Sequence, residues 1–365
     1  MKTNELETTA DKLSLADPLR PPTDATEPLP DLLLWDLLSE RSVSPESLPP
    51  CVIALGNFDG VHVAHRTLLG ETIRLADTQS RGSDNGETVY PAVFFFDPPS
   101  GDFLFSPPPG HLTTCEEKLS ILKSVGIRFA MIAQFPKFRN QPTDEFVAVT
   151  LRRQCHAAGA VCGYNFRFGF RGSGTAASLE KEMAPLPVRC LSNVYLPGHT
   201  NSDGTPFEVS SSRIRQILPS ANLDLVREML GEPFRMTGTV VHGKQLGRTI
   251  GLPTINQNVP EHKLLPPDGI YATRCQIGDV LYNGVTNIGT RPTTDICGMP
   301  RRNVETHLLH TQGNFYGQTA TVFFYRFLRG EKVFPSLDDL RRAIEADAGH
   351  AAAVLENEPP ILPPS

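Results

Sequence analysis

From Cys51 onward, short apolar runs alternate with longer amphipathic stretches. CVIALG is apolar and closed by glycine, the pattern of a strand buried on both faces of a parallel sheet. HRTLLGETIRLA follows with a helical period, RGSDNGE reads as a loop, and YPAVFFF is a second buried strand stopped by Asp97-Pro98-Pro99. TTCEEKLSILKSVG predicts a helix: Thr114 and Glu117 have capping-box spacing, Leu119 and Leu122 share a side, and Gly126 ends it. IRFAMIAQF is strand three, DEFVAVTLRRQCHAAG a helix and AVCGYNF strand four. Strands alternating with helices predict a doubly wound α/β domain around a parallel sheet.

The texture changes after SSSRIRQIL and LDLVREML. From about residue 235, FRMTGTVVHG, GIYATRCQIGDVLYNGVTNIG, VETHLLH and QTATVFFYRFLRGE are β-rich runs separated by turn residues, which predicts a small antiparallel β-barrel. SLDDLRRAIEADAG predicts a terminal helix capped by Ser336, with Leu337, Leu340 and Ile344 on its apolar face. Residues 1–49 have a proline-rich, polar linker composition and read as a flexible extension, within which LLLWDLL could form one short apolar helix. The expected division is an α/β domain over 50–218, a linker over 219–234, a barrel domain over 235–350 and a disordered tail over 351–365.

Composition narrows the class. The 365 residues suit two domains, and 39% hydrophobic with 20% charged residues suits a globular chain. A net charge of −6 argues against a bulk nucleic-acid binder. No apolar run reaches the length of a membrane span, and MKTNELETTADK lacks the apolar core of a signal peptide. The seven cysteines show no C-x-x-C spacing and suit reduced thiols in a cytoplasm. We therefore expect a cytoplasmic protein that acts on small molecules, without nucleic-acid or membrane partners, as a monomer or weak oligomer.

Two stretches carry candidate chemistry. GNFDGVHVAH follows strand one, where ligands bind in open parallel sheets and where a helix N-terminus attracts phosphate. His62 and His65, at i and i+3, would share a face of the first helical turn and could donate to phosphate oxygens; equally, they could be a polar helix start with one core histidine. GTVVHGKQLGRTIGLPTINQ places Gly238, Gly243, Gly247 and Gly251 around Lys244 and Arg248, without the order of a Walker loop. If 254–256 is extended, Thr254 and Asn256 project to one face, and a hydroxyl with an amide oxygen suits Mg²⁺; a barrel-corner turn is the plainer alternative.

GNFDGVHVAH resembles the G-N-F-D-G-V-H-x-G-H motif of the bacterial FAD synthetases, members of the wider nucleotidyltransferases. LTTCEEKLSILKSVGI, GYNFRFGFRGSG and VSSSRIRQIL resemble further motifs of that family in its order. The resemblance implies that His62 and His65 hold ATP phosphates, with Gly56, Asn57, Phe58 and Asp59 around them. It also implies that Asn165 contacts the nucleotide and that Ser211, Ser212 and Arg215 grip phosphates. Downstream, GLPTIN, DGIYATR, NIGTRPT, VETHLLH and LRGEKVFPSLDDLRRAIEAD resemble the riboflavin kinases. That resemblance implies Thr254 and Asn256 as Mg²⁺–ATP ligands, Glu305 as the base for the ribityl 5′-hydroxyl, and Arg291 and Arg329 as groups that steady charge or flavin-site loops; Arg291 could equally be a structural ion-pair partner.

Together the motifs span residues 50 to 348 and resemble the bifunctional prokaryotic riboflavin kinase/FAD synthetases. The implied fold is a nucleotidyltransferase-type sheet followed by a riboflavin-kinase-type barrel. The implied activity converts riboflavin to FMN and FMN to FAD, with ATP as co-substrate, Mg²⁺ as cofactor and flavin-requiring apoproteins as possible recipients. Three positions depart from the pattern: Ala64 replaces the glycine between the histidines, Pro98 or Pro99 replaces a histidine after strand two, and Ser212 replaces a threonine. The first two leave open a kinase with a degenerate adenylyltransferase half. A non-enzymatic flavin-binding regulator is the other alternative.

Overall fold

The structure is a computed structural model that describes residues 32–36, 48–83, 86–243, 252–294, 300–311 and 313–358. The chain separates into two compact units, one of residues 1–56, 71–97 and 126–190, the other of residues 57–70, 98–125 and 191–365.

The first unit is built on six strands, in the order Leu33–Asp36, Phe129–Ala133, Tyr90–Phe96, Cys51–Leu55, Ala157–Gly163 and Val188–Leu191. The first five pair in parallel. All five residues of Cys51–Leu55 are buried, as an apolar run without alternation requires. Strand order reverses around this strand, so its carboxyl end is the switch point of the sheet, and Gly56 begins there.

Two expectations are corrected. Residues 33–36, read as a helix, form an edge strand paired with Phe129–Ala133. The short apolar run Leu33, Leu34 and Trp35 fits either structure, and the sheet edge supplies backbone partners that an isolated helical turn lacks. The helical segment 143–154 also stops before the predicted end, with 146–154 wound as a π-helix. His156 turns the chain with a φ of +48°, and the next strand starts at Ala157 rather than at 160.

The second unit carries a closed six-stranded barrel. Its order is Phe234–Val241, Thr254–Asn258, Pro300–Leu308, Val280–Thr294, Gly269–Ile277 and Thr319–Arg329. Strand alternation sends Met236, Val240, Ile255, Tyr271, Cys275, Ile288, Val304, Val322 and Phe324 into one core cluster. The same alternation puts Ala272, Val285, Phe323 and Tyr325 in a second cluster, on the outer face beneath the helix Leu337–Glu356.

Ser336 caps that helix as expected, accepting from the Asp339 amide at 3.1 Å. Its buried line is Asp347, Ala351 and Leu355, whereas Leu337 is 51% exposed. The helix therefore packs with its second half and not, as predicted, from its first turn. Arg329 fastens it with two bonds to Asp347, at 3.0 and 2.6 Å.

The helix Cys115–Ser124 joins this unit through its cap. The capping box predicted at Thr114 and Glu117 is present in both halves. The Glu117 carboxylate also accepts from the Thr237 amide at 2.6 Å and from Lys263 Nζ at 2.6 Å.

Candidate functional site

Within the second unit, residues 57–65 form a turn and the first helical turn of Val63–Arg81. The turn is tight: Phe58, Gly60 and Val61 have φ of +51°, +82° and +39°. Phe58 and Val61 are fully buried, which anchors a backbone that non-glycine residues adopt reluctantly. Gly60, at a φ of +82°, favours glycine, and a Cβ there would also lie 3.0 Å from Leu112 Cδ1.

Asp59 is the hub of this turn. Its carboxylate, 3% exposed, accepts from the Leu112 amide at 3.0 and 3.1 Å, the Thr113 amide at 3.0 Å, the Thr113 hydroxyl at 3.2 Å and the Arg215 guanidinium at 2.5 Å. Its carbonyl accepts from the Ser211 hydroxyl at 2.9 Å. Arg215 also donates to the Gly110 carbonyl at 2.8 Å, and Ser210 caps the helix Ser211–Ile217.

Asp59, Ser211 and Arg215 direct their polar groups at one another. Phe58 points its ring into the core, 5.2 Å from the ring of His65, instead of toward a ligand. Three motifs distant in sequence therefore meet to hold the turn. Ser212 and Asn57 are exposed. Ala64 lies in the helix with an ordinary backbone, so no left-handed φ calls for glycine there.

His62 and His65 are brought together, their rings stacked at 3.7 Å and 14°. The His65 amide donates to His62 Nδ1 at 3.4 Å, so His62 carries its proton on Nε2. Burial lowers the pKa of His62 to about 4, against the weaker opposing charge of Asp59. Burial also lowers His65 well below its ordinary value, reinforced by His62 and Lys118. Both rings are neutral at pH 7, and His65 Nδ1 is buried without a hydrogen-bond partner. Lys118, 1% exposed, was missed as a candidate, although the E-E-K run of the motif contains it.

In the first unit, the Gly56 amide donates to the Phe94 carbonyl at 3.3 Å. Asn165 is exposed beside Gly163, where a Cβ would stand 3.3 Å from its Oδ1.

On the barrel, Thr254 and Asn256 occupy one strand and Glu305 the next, with Asn256 directly opposite Glu305. The Thr254 hydroxyl donates to Glu305 Oε1 at 2.5 Å. Asn303 Nδ2 donates to Asn256 Oδ1 at 3.2 Å, and Asn303 Oδ1 is buried without a partner. Val304, Thr306 and Leu308 point inward, so Asn303, Glu305 and His307 belong to the outer face.

A groove open to solvent is lined by Gly243, Thr254, Asn256, Thr311, Phe315 and Tyr316 among others. Gly243 is required there, because a Cβ would fall 2.4 Å from Asn256 Cγ. With its proton directed at Glu305, the Thr254 oxygen keeps lone pairs for a hard cation, and Asn256 adds an amide oxygen. This donor set fits Mg²⁺.

The remaining barrel candidates divide. Gly238 sits inside a strand opposite Ala320 and not in the glycine-rich turn. Gly247 and Arg248 lie outside the described residues, as does the side chain of Arg291. Arg329 gives its donors to Asp347 and to the Gly330 carbonyl.

Two family models match the chain: FAD synthetase over residues 44–199 and riboflavin kinase over residues 230–355. The bifunctional riboflavin kinase/FMN adenylyltransferase of Haemophilus influenzae is 33% identical over 315 residues, covering 84% of this chain and 94% of its own. The protein of that description from Escherichia coli K12 is 35% identical over 301 residues, covering 81% and 90%. Among solved structures, one titled as a macrolide-efflux protein from Streptococcus pneumoniae aligns with a TM-score of 0.70 and 24% identity. It covers 90% of this chain and 100% of that one, a likeness of fold alone. Among the described residues, no helix is long and apolar enough to cross a membrane.

Proposed function

The chain belongs to the family of bifunctional riboflavin kinase/FMN adenylyltransferases, and on that premise we propose which of its residues carry each reaction. The enzyme phosphorylates riboflavin with ATP to give FMN, then transfers AMP from ATP to FMN to give FAD and pyrophosphate. With both family regions matched, the reading of a lone kinase and that of a non-enzymatic binder are not favoured.

In the kinase reaction Glu305 takes the proton of the ribityl 5′-hydroxyl as that oxygen attacks the γ-phosphorus of ATP and ADP leaves. Thr254 holds the Glu305 carboxylate, and Thr254 with Asn256 would bind Mg²⁺. Bound there, Mg²⁺ would neutralise phosphate charge and polarise the transferred group. The observation that carries this reading is the 2.5 Å contact between Thr254 and Glu305, with Asn256 opposite in the sheet.

In the adenylyl transfer an FMN phosphate oxygen attacks the α-phosphorus of ATP. His62 and His65 donate N–H bonds to phosphate oxygens as charge builds, and pyrophosphate departs. Neutral rings suit that task, since they donate without a proton to lose. Asp59, Arg215 and Thr113 position the histidines by fixing the turn.

Product analysis tests both halves. With riboflavin, ATP and Mg²⁺, FMN should form first and FAD follow. FMN without FAD would remove the histidines from their role, and Glu305→Gln with undiminished FMN formation would remove Glu305.

A further inference from the structure

Glu305 has a neighbour on each side across the sheet: Asn256 on one strand and Asn287 on the other. Directly paired residues project to the same face, so Asn287 stands beside Glu305 on the outside of the barrel. Asn287 Nδ2 donates to Glu331 Oε1 at 3.2 Å. That contact decides which way round the amide lies, because its oxygen would be repelled by a carboxylate. Asn287 Oδ1 is then buried with no hydrogen-bond partner, an arrangement that proteins seldom leave unmet.

The local sequence builds this seat. Ile288 turns into the barrel core, and Gly289 returns to the outer face. A Cβ at Gly289 would meet Glu331 Oε1 at 2.4 Å and Asn287 Nδ2 at 3.3 Å. Only a residue without a side chain lets the Glu331 carboxylate lie there. The face around Asn287 is rich in acceptors: two carboxylates, and Asn303 Oδ1, also buried and without a partner. A ligand that satisfies it must bring O–H donors on neighbouring atoms, and a ribityl chain carries hydroxyls on consecutive carbons.

We propose that Asn287 Oδ1 accepts a hydrogen bond from a secondary hydroxyl of the ribityl chain, next to the primary hydroxyl whose proton Glu305 takes. Glu331 is the positioning residue that keeps the amide oxygen turned toward the substrate. The inference rests on the reading of Glu305 as the base. Its consequence is selectivity: a flavin whose side chain lacks the secondary hydroxyls leaves Asn287 unmet and is turned over poorly.

The test compares riboflavin with a 5-hydroxypentyl flavin, which keeps the terminal hydroxyl and lacks the secondary ones. Flavin affinity is read by fluorescence quenching, and FMN-type product by kcat/KM. The wild type should prefer riboflavin by about a hundredfold, and Asn287→Leu should reduce riboflavin kcat/KM about tenfold while leaving the analogue within about twofold. Glu331→Ala should narrow the preference in the same direction. KM for ATP and the conversion of supplied FMN to FAD should not move, which controls for folding.

Equal losses on both flavins in Asn287→Leu would make Asn287 merely structural and overturn the proposal. So would a wild type that fails to discriminate, a measurement that needs no variant. Glu305→Gln separates the two readings: retained turnover would retire the base, while flavin affinities in the Asn287 variant would still judge Asn287.

Discussion

Lys263 Nζ and Glu117 Oε2 meet at 2.6 Å with neither side chain exposed to solvent, between the barrel and the helix Cys115–Ser124. The ammonium also donates to the Leu112 carbonyl at 2.5 Å and lies 4.6 Å from the centre of the Phe234 ring. Burial lowers the pKa of Lys263 and Glu117 opposes that shift, so the pair is held by compensation. Removing one partner of such a pair leaves a buried charge: Lys263→Met should cost about 3–5 kcal/mol in denaturant unfolding. Adding Glu117→Gln should recover part of it. Adding Glu117→Leu should recover less, because the amides of Thr114 and Thr237 then lose their acceptor. Equal recovery would show that the two amides do not depend on the carboxylate.

The bond from Arg215 to Asp59 makes a different expectation. Asp59 touches backbone, Thr113 and Arg215, so on the proposed mechanism it acts by placing His62 and His65. Asp59→Asn keeps the volume but reverses the polarity of one oxygen position facing donors. Displacing the histidines by about 1 Å should lower FAD formation on the order of a hundredfold. FMN formation should persist, because Thr254, Asn256 and Glu305 are held by the barrel ladder. Equal loss of both products would mean that Asp59 supports the whole unit.

This hub marks the limit of what was legible in the sequence. That Thr254 and Asn256 share a face was readable from strand alternation, while only the resemblance singled them out together with Glu305. Their convergence with Glu305, 51 positions from Thr254, required the observed pairing of strands. The motifs around Asp59 were readable as motifs, but Asp59 and Arg215 are 156 positions apart, and nothing local announces that they meet. Ser211 and Arg215, read as phosphate ligands, also make bonds to Asp59 that hold the turn. The strand Leu33–Asp36 was misread because the three apolar residues Leu33, Leu34 and Trp35 carry no period that separates a helix from a strand. Lys118 and Asn287 were passed over because a lysine in a helix and an amide in a strand look ordinary until burial is known.

Glu305 should behave as a base and not as a scaffold. Glu305→Gln retains the shape and can still accept from the Thr254 hydroxyl. It should lower kcat for FMN formation by about 10²–10⁴-fold with little change in flavin affinity. Thr254→Val removes the hydroxyl that orients Glu305 and would face the cation, so both kcat and the Mg²⁺ requirement should shift. A Thr254→Val enzyme with unaltered Mg²⁺ dependence would place the metal elsewhere.

The buried histidines set an acid limit on stability. The pKa of His62 falls from 6.5 in the unfolded chain to about 4 in the folded one, chiefly through burial. Between those values the unfolded chain takes up a proton that the folded chain refuses, so stability is intact above about pH 6.5 and declines as pH falls toward 4. The interval of about 2.5 units corresponds to about 3 kcal/mol for this ring. His65 shifts in the same direction, so the slope should approach two protons. Denaturant midpoints measured from pH 7 to pH 4.5 should fall more steeply for the wild type than for His62→Asn. On the proposed role of the neutral rings, FAD formation by the wild type should show no titration of His62 near pH 6.5. Parallel slopes for the two proteins, or a wild-type activity midpoint near 6.5, would mean that His62 is charged in the folded state and that its burial does not govern its proton.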